Sequence, residues 1–247
     1  MADAFTGLSG FLRTSTVVLL MAINSQAMDM PPERAGMLDS IRESVRSSAS
    51  YTGRTELSGR VMAAMGRVPR EAFVLPAFRH RAYENTPLPI EAGQTISQPL
   101  IVALMTDLLD PQPDDVILEV GTGSGYQAAV LAGLVSHVYS VEIIEELAAS
   151  ATAVLARLGY DNVTVRAGDG YAGWPEHAPF DGIIVTAAAA EIPPPLLAQL
   201  RPGGRLVIPV GEEHGYQELL LVELDEQGEI RRRSVLPVRF VPLTGRR

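Results

Sequence analysis

The sequence predicts an α/β fold: a doubly wound, mostly parallel sheet preceded by an N-terminal helical extension. Three observations carry that reading. From residue 116 onward short apolar runs alternate with helical stretches, the pattern of parallel strands joined by crossover helices. A glycine-rich turn, Gly121-Thr122-Gly123-Ser124-Gly125, separates the first of these strands from the first helix. Apolar residues make up 47% of the 247, enough for a core on both sheet faces.

The front of the chain reads differently. Arg13 precedes an apolar stretch at 17–23, followed by Ser25-Gln26-Ala27, which gives 13–27 the look of a secretory signal cleaved after Ala27. The stretch is far shorter than the ~20 residues needed to span a bilayer. An N-terminal helix, an unstructured leader, or a true start at Met28 or Met30 fits the same residues. Residues 31–53 are polar and rich in Ser and Arg, with a helix expected around 37–45. Leu57, Val61, Met62 and Met65 then recur at helical spacing and predict an amphipathic helix ending near Gly66.

In the core, Val116–Val120 reads as a buried strand between Pro113-Asp114-Asp115 and the glycines. Helices are expected over 126–134 and 145–158, and strands over 138–141 and 163–166. Strands at 183–185 and 206–210 follow, joined by a helix around 196–200 and a turn at Pro202-Gly203-Gly204. The last two strands, 218–224 and 231–238, have no helix between them and predict an antiparallel edge turning at 225–228.

Composition removes whole classes of chemistry. Without cysteine there are no disulfides, thiolate nucleophiles or thiolate metal ligands. All 20 basic residues are arginine, which excludes a Schiff-base lysine and a Walker-type phosphate lysine. His80, His137, His177 and His214 show no metal-ligand spacing, so no metal is expected. No GxSxG elbow occurs, against a serine hydrolase. A net charge of −9 lacks the positive field of a nucleic-acid binder, so no nucleic-acid partner is expected.

The glycine turn has the spacing GxGxG, with Tyr126 where a dinucleotide fingerprint carries its last glycine or alanine. Glu119, two residues before the first glycine, stands where nucleoside methyltransferases commonly hold the amino-acid end of S-adenosylmethionine. Glu142, closing the second strand, is placed to accept from both hydroxyls of a free ribose. Asp169, at the end of the third strand, could accept from an adenine amino group. The plainer readings are a solvated strand end for Glu119 and a helix cap for Glu142.

Several motifs extend the pattern in order: VPREAF at 68–73, GQTISQP at 93–99, LEVGTGSGYQA at 118–128 and GDG at 168–170. FDGIIVTAA at 180–188, RPGGRLVIPVG at 201–211 and VRFVPLT at 238–244 complete it. Over roughly 57–245 the chain resembles the protein-L-isoaspartate (D-aspartate) O-methyltransferases. The resemblance implies a Rossmann-like S-adenosylmethionine-dependent methyltransferase sheet with an altered strand order near its C-terminal end. It implies Ser97 as the active-site residue and cofactor contacts at Thr95, Ile96, Gly121, Gly123, Ser124, Gly125, Glu142, Asp169, Gly170 and Thr244. It also implies isoaspartyl proteins and peptides as partners, and a monomer. The expected division is a leader and helical head over 1–53 and a methyltransferase domain over 54–247, with its own N-terminal helices and a substrate loop at 91–99.

Methyl transfer from a sulfonium to a carboxylate asks for no general base, because the acceptor is already ionised at neutral pH. That agrees with the lack of an obvious acid–base pair. Ser97 fits either as a donor to the substrate or, standing before Gln98-Pro99, as a helix N-cap. A nucleic-acid amino-methyltransferase would carry an Asn/Asp-Pro-Pro-aromatic motif where this chain has Thr186-Ala187-Ala188-Ala189. The remaining alternative is a methyltransferase-fold module that binds S-adenosylmethionine for another acceptor or without turnover. The cytoplasm, where the donor is made, is the expected location, with export as the alternative if 13–27 acts as a signal.

Overall fold

The computed structural model describes residues 30–212 and 215–245; the signal-like segment 13–27 and His214 lie outside them. The chain enters through helix α1 (Pro32–Ser47), which opens with Pro at its first turn and buries Met37, Leu38, Ile41 and Val45. Those four residues recur every three to four positions and form one apolar stripe. The helix extends at both ends beyond the 37–45 expected from that stripe, because its flanking residues are polar and exposed. A short α2 (Ala49–Thr52) ends at Gly53 in the left-handed conformation. Helix α3 (Gly59–Arg67) is capped by Ser58, whose hydroxyl accepts from the Val61 amide at 3.2 Å. It buries Val61, Met62 and Met65, the residues that predicted it.

Two 3₁₀ turns, Arg70–Phe73 and Pro76–Arg81, lead to a small antiparallel ribbon of β1 (Leu88–Pro89) and β2 (Thr95–Ile96). Helix α4 (Pro99–Leu109) follows and is buried along nearly its whole length.

The main sheet comprises β3 (Val116–Val120), β4 (His137–Glu142), β5 (Val163–Ala167), β6 (Phe180–Val185), β7 (Leu200–Gly211), β8 (Gln217–Leu224) and β9 (Ile230–Val238). Its spatial order is β5-β4-β3-β6-β7-β8-β9. The first five in that order are parallel, and β8 and β9 add an antiparallel edge. The chain winds outward from β3 through α5 (Tyr126–Ala132) and α6 (Glu145–Arg157) to β5. It then returns to β6 on the opposite side of β3. That reversal is the topological switch point, where the loops leaving the carboxyl ends of the strands part and leave a crevice.

Alternation along the strands divides the core. Ile117, Ile184 and Val207 face the layer holding α1, α3, α4, α5 and α6. Their neighbours Leu118, Val120, Ile183, Val185, Leu206 and Ile208 face the other side, with Trp174 and Leu196. The double winding is therefore unequal. Between β5 and β6 stand two 3₁₀ turns, Gly170–Ala172 and Pro175–His177, in place of a long helix. The second face has only these and the short α7 (Pro194–Ala198).

The antiparallel edge turns at 225–228 as expected, closed by the Asp225 amide on the Glu229 carbonyl at 3.0 Å. The largest boundary difference is in β7. The strand expected at 206–210 begins at Leu200, which pairs with Phe180 before Gly182 pairs with Arg205. Pro202-Gly203-Gly204 forms an irregularity inside that strand and does not end it, because the pairing with β6 resumes after the extra residues.

The stripe of α1 predicts the cost of losing it. Ile41→Ala should destabilise the fold by about 2–4 kcal/mol, read from the midpoint of a urea transition, because Ile41 is fully buried among α1, α3 and α4.

Candidate active site

A cavity lies at the carboxyl ends of β3, β4 and β6. Its walls come from four places: Gln94 to Ser97 beside the ribbon, the turn from Gly121 to Ser124, Glu142 to Ile144 after β4, and Val241 to Thr244 near the C-terminus. Gly170, Thr186 and Tyr126 complete them. Of the residues expected at the site, Thr95, Ile96, Ser97, Gly121, Gly123, Ser124, Glu142, Gly170 and Thr244 line this cavity; Glu119, Gly125 and Asp169 stand behind its wall.

The glycine turn is held on both sides. The Gly121 amide donates to the Val141 carbonyl and the Gly125 amide to the Thr122 carbonyl, both at 2.8 Å. Thr186, from the end of β6, donates its hydroxyl to the Gly121 carbonyl. Gly121 has φ 95°, and a Cβ there would come 2.5 Å from the Thr186 Oγ1. Conformation and space both require glycine. Gly125 serves packing: at φ 86° a Cβ would press on the Leu155 side chain at 3.3 Å, so its bareness lets α6 approach the turn.

Glu142 ties the end of β4 both to the glycine turn and to the approach of α6. One oxygen accepts from the Gly123 amide at 2.8 Å, and the other from the Ile144 amide at 3.0 Å, just before α6. Each carboxylate oxygen has a second lone pair, so the group can secure the turn and still accept from a ligand.

Glu119 is not a solvated strand end. Strand alternation turns it to the helical face, fully buried beneath α5. Ser140 donates to one of its oxygens and is itself hydrogen-bonded to Thr122 at 2.6 Å. The other oxygen has no hydrogen-bond partner of good geometry. Burial pushes the Glu119 pKa up to about 8; hydrogen bonding from Ser140 and the Ala128 amide opposes the shift, and the nearby Glu142 adds to it. Asp169 accepts from the Tyr171 amide at 2.9 Å and so caps the turn that presents Gly170 to the cavity.

Ser97 lines the cavity, and its hydroxyl has no hydrogen bond among the described residues. It is not the helix cap. Helix α4 begins at Pro99 with Gln98 before it, and the Leu100 amide is taken at 2.9 Å by Asn85. The Ser97 carbonyl accepts from Arg70 at 2.8 Å. Across the cavity, the C-terminal segment is strapped to the sheet: Ala188 donates to the Val241 carbonyl at 2.8 Å, and Leu243 to the Ala188 carbonyl at 2.7 Å. The Tyr171 hydroxyl donates to the Leu243 carbonyl at 3.2 Å, which brings Thr244 to the rim.

Sequence reasoning missed Thr186, Tyr126, Gln94 and Ile143 as lining residues. Ile143, unusually exposed for its type at 39%, directly follows the acidic strand end, and that adjacency was the available signal. Thr186 and Gln94 fall inside the contiguous motifs at 180–188 and 93–99, the second within the expected substrate loop 91–99, and those motifs were the available signal. Among the described residues, Glu142 is the only charged side chain lining the cavity. Among the described residues no cluster of three His, Asp or Glu is placed to hold a metal.

Comparison with known proteins gives a consistent result. The family described as Protein-L-isoaspartate(D-aspartate) O-methyltransferase matches residues 50–247. A Syntrophobacter fumaroxidans relative named protein-L-isoaspartate O-methyltransferase 2 is 63% identical over 212 residues, or 86% of each chain. A Cupriavidus necator relative named protein-L-isoaspartate O-methyltransferase 1 is 54% identical over 94% of this chain and 90% of its own. Among solved structures, a protein-L-isoaspartate O-methyltransferase matches with a TM-score of 0.70 and 30% identity, over 83% of this chain and 66% of that one. A Plasmodium falciparum chain assigned to the same class, in complex with S-adenosyl-L-homocysteine, matches with a TM-score of 0.67 and 26% identity over 83% and 97%.

Two outcomes follow from the geometry. Gly121→Ala should abolish measurable binding of S-adenosylhomocysteine in calorimetry while the protein stays folded, since the clash is confined to the turn. Glu119 binds its proton more tightly in the folded state, so its contribution to stability is complete below its ordinary pKa of 4.5 and is lost as pH rises through about 8. Glu119→Gln should therefore gain in melting temperature relative to the wild type as pH is raised from 5 to 9; a constant difference across that range would show Glu119 to be ionised throughout.

Proposed function

The chain belongs to the protein-L-isoaspartate(D-aspartate) O-methyltransferase family, and from that membership we propose that it methylates the free α-carboxylate of L-isoaspartyl residues in damaged proteins and peptides. It is an S-adenosylmethionine-dependent carboxyl methyltransferase, and the ester it forms begins repair. The observation that carries this reading is Glu142 on the glycine turn, with acceptor capacity in reserve, in a cavity that also exposes the unpaired Ser97 hydroxyl.

The cavity fits the donor chemically. Glu142 offers acceptors to a ribose diol, Ile143 an apolar surface to a base, and no arginine or histidine lines the space to oppose a sulfonium. Thr95, Ile96, Gly121, Gly123, Ser124, Glu142, Gly170 and Thr244 would hold the cofactor, with Glu119, Gly125 and Asp169 supporting them from behind. When bound, the sulfonium supplies an electrophilic methyl group, taken by the acceptor carboxylate oxygen as the carbon–sulfur bond breaks. No proton moves, so the protein's part is orientation and exclusion of water. Ser97 donates to the acceptor and fixes the direction of its attacking oxygen, acting as a positioning donor and not as a nucleophile.

The partners are isoaspartyl proteins and peptides; the −9 net charge speaks against nucleic acid, and the family resemblance supports a monomer. Among the described residues no helix is long and apolar enough to cross a membrane. The cytoplasm suits an enzyme whose donor is made there. The helical head, described from residue 30 onward, shapes the peptide side of the site in this reading; the Asn85 contact to Ser44 on α1, at 3.1 Å, supports it.

Labelled S-adenosylmethionine offered with paired peptides, one isoaspartyl and one aspartyl, tests the assignment. Label is expected on the isoaspartyl peptide alone; label on neither, with cofactor still bound, would favour the module without turnover. Ser97→Ala should lower kcat/KM for the peptide by roughly 10–100-fold, the range expected for one lost hydrogen bond to a charged group, with cofactor affinity unchanged. Glu142→Ala should do the reverse and weaken cofactor binding first.

A further inference from the structure

Arg70 is the one buried cation among the described residues, with no exposed surface. A buried charge is normally matched by an opposite charge, because desolvation is otherwise uncompensated. Arg70 makes no ion pair. Its Nε donates to the Ala82 carbonyl and one Nη to the Ser97 carbonyl, both at 2.8 Å, and the other Nη has no hydrogen-bond partner of good geometry among the described residues. Its guanidinium carbon lies 4.7 Å from the centre of the Tyr126 ring. Burial draws its pKa below the usual value, and the neighbours that oppose this are the phenols Tyr126 and Tyr83, with no carboxylate among them.

Ser97 and Tyr126 both line the cavity. Arg70 therefore stands one layer behind the wall, bonded to the backbone of Ser97, the residue read above as the donor to the acceptor. We propose that Arg70 is a specificity-determining positioning residue whose unmatched charge attracts the acceptor carboxylate through the Ser97 loop. This rests on the carboxyl-methyltransferase reading and names the residue that makes the site prefer an anion. Its set-back position suits the chemistry. A guanidinium touching the acceptor would tie up the lone pairs of the attacking oxygen, whereas one a layer away supplies potential without a hydrogen bond. The two carbonyl bonds hold the cation in place and fix the height of the Ser97 loop above it.

The test compares wild type, Arg70→Gln and Arg70→Lys on two peptides: the isoaspartyl substrate and its α-carboxamide twin, measured as an inhibitor. Glutamine is neutral and can still donate to a carbonyl; lysine keeps the charge but cannot span both carbonyls. Arg70→Gln should raise KM for the isoaspartyl peptide by about tenfold and abolish the preference for carboxylate over carboxamide, with kcat and S-adenosylhomocysteine affinity within a few fold of wild type. Arg70→Lys should retain that preference even where kcat falls. Equal behaviour of the two variants, or an unchanged preference in Arg70→Gln, would reduce Arg70 to a structural brace and overturn the inference. Should Arg70→Gln not fold, as judged by its thermal transition, loss of the preference in Arg70→Lys would overturn it equally. A wild type that fails to methylate the isoaspartyl peptide would instead sink the substrate reading, and the same assay separates the two.

Discussion

The carboxylate of Glu142 joins the end of one strand to the turn that follows another. By accepting from Gly123 with one oxygen and from Ile144 with the other, it fixes the glycine turn of β3 against the entry to α6. The rest of the cavity depends on that distance. With the turn held there, Thr186 can lock its first carbonyl from the β6 side, and the switch point between β3 and β6 becomes a defined crevice. Each of those oxygens has a second lone pair, so holding the turn does not exhaust the accepting capacity of the carboxylate.

The opposite wall is organised from a distance. Ser97 sits on a loop whose carbonyl is held by Arg70 and whose following helix is capped by Asn85. Asn85 is in turn held by Ser44 on α1, and Arg34 on the same helix bonds to Tyr83 at 3.0 Å. The N-terminal helix is thus linked through Asn85 to the start of α4, next to Ser97, and its apolar stripe anchors that network to the main core. Freed from capping, the Ser97 hydroxyl is available to a substrate.

Charge is distributed with the same economy. Among the described residues the cavity is lined by one carboxylate, Glu142, and no cation, while Glu119, whose pKa burial raises, and Arg70 are buried behind its walls. The second face of the sheet, thinly covered by turns and the short α7, takes no part in this arrangement.

Much of this was legible in the residues. The strand–helix alternation from residue 116, the antiparallel edge, the stripe of Met37, Ile41 and Val45, and the glycine turn with Glu142 after the next strand are local patterns set by periodicity and backbone freedom. The ordered motifs identified the family for the same reason, since each is contiguous. What only the tertiary structure decided are relations between segments far apart in the chain: that β7 starts early because it pairs with β6, that Glu119 faces inward beneath α5, and that Asn85 and not Ser97 caps α4. Burial and hydrogen-bond partners are properties of neighbours in space, and a sequence lists only neighbours along the chain. Arg70 shows the gap most plainly: in the chain it is a basic residue between Pro69 and Glu71, and only the fold makes it a buried charge that holds the Ser97 carbonyl with no ion pair among the described residues.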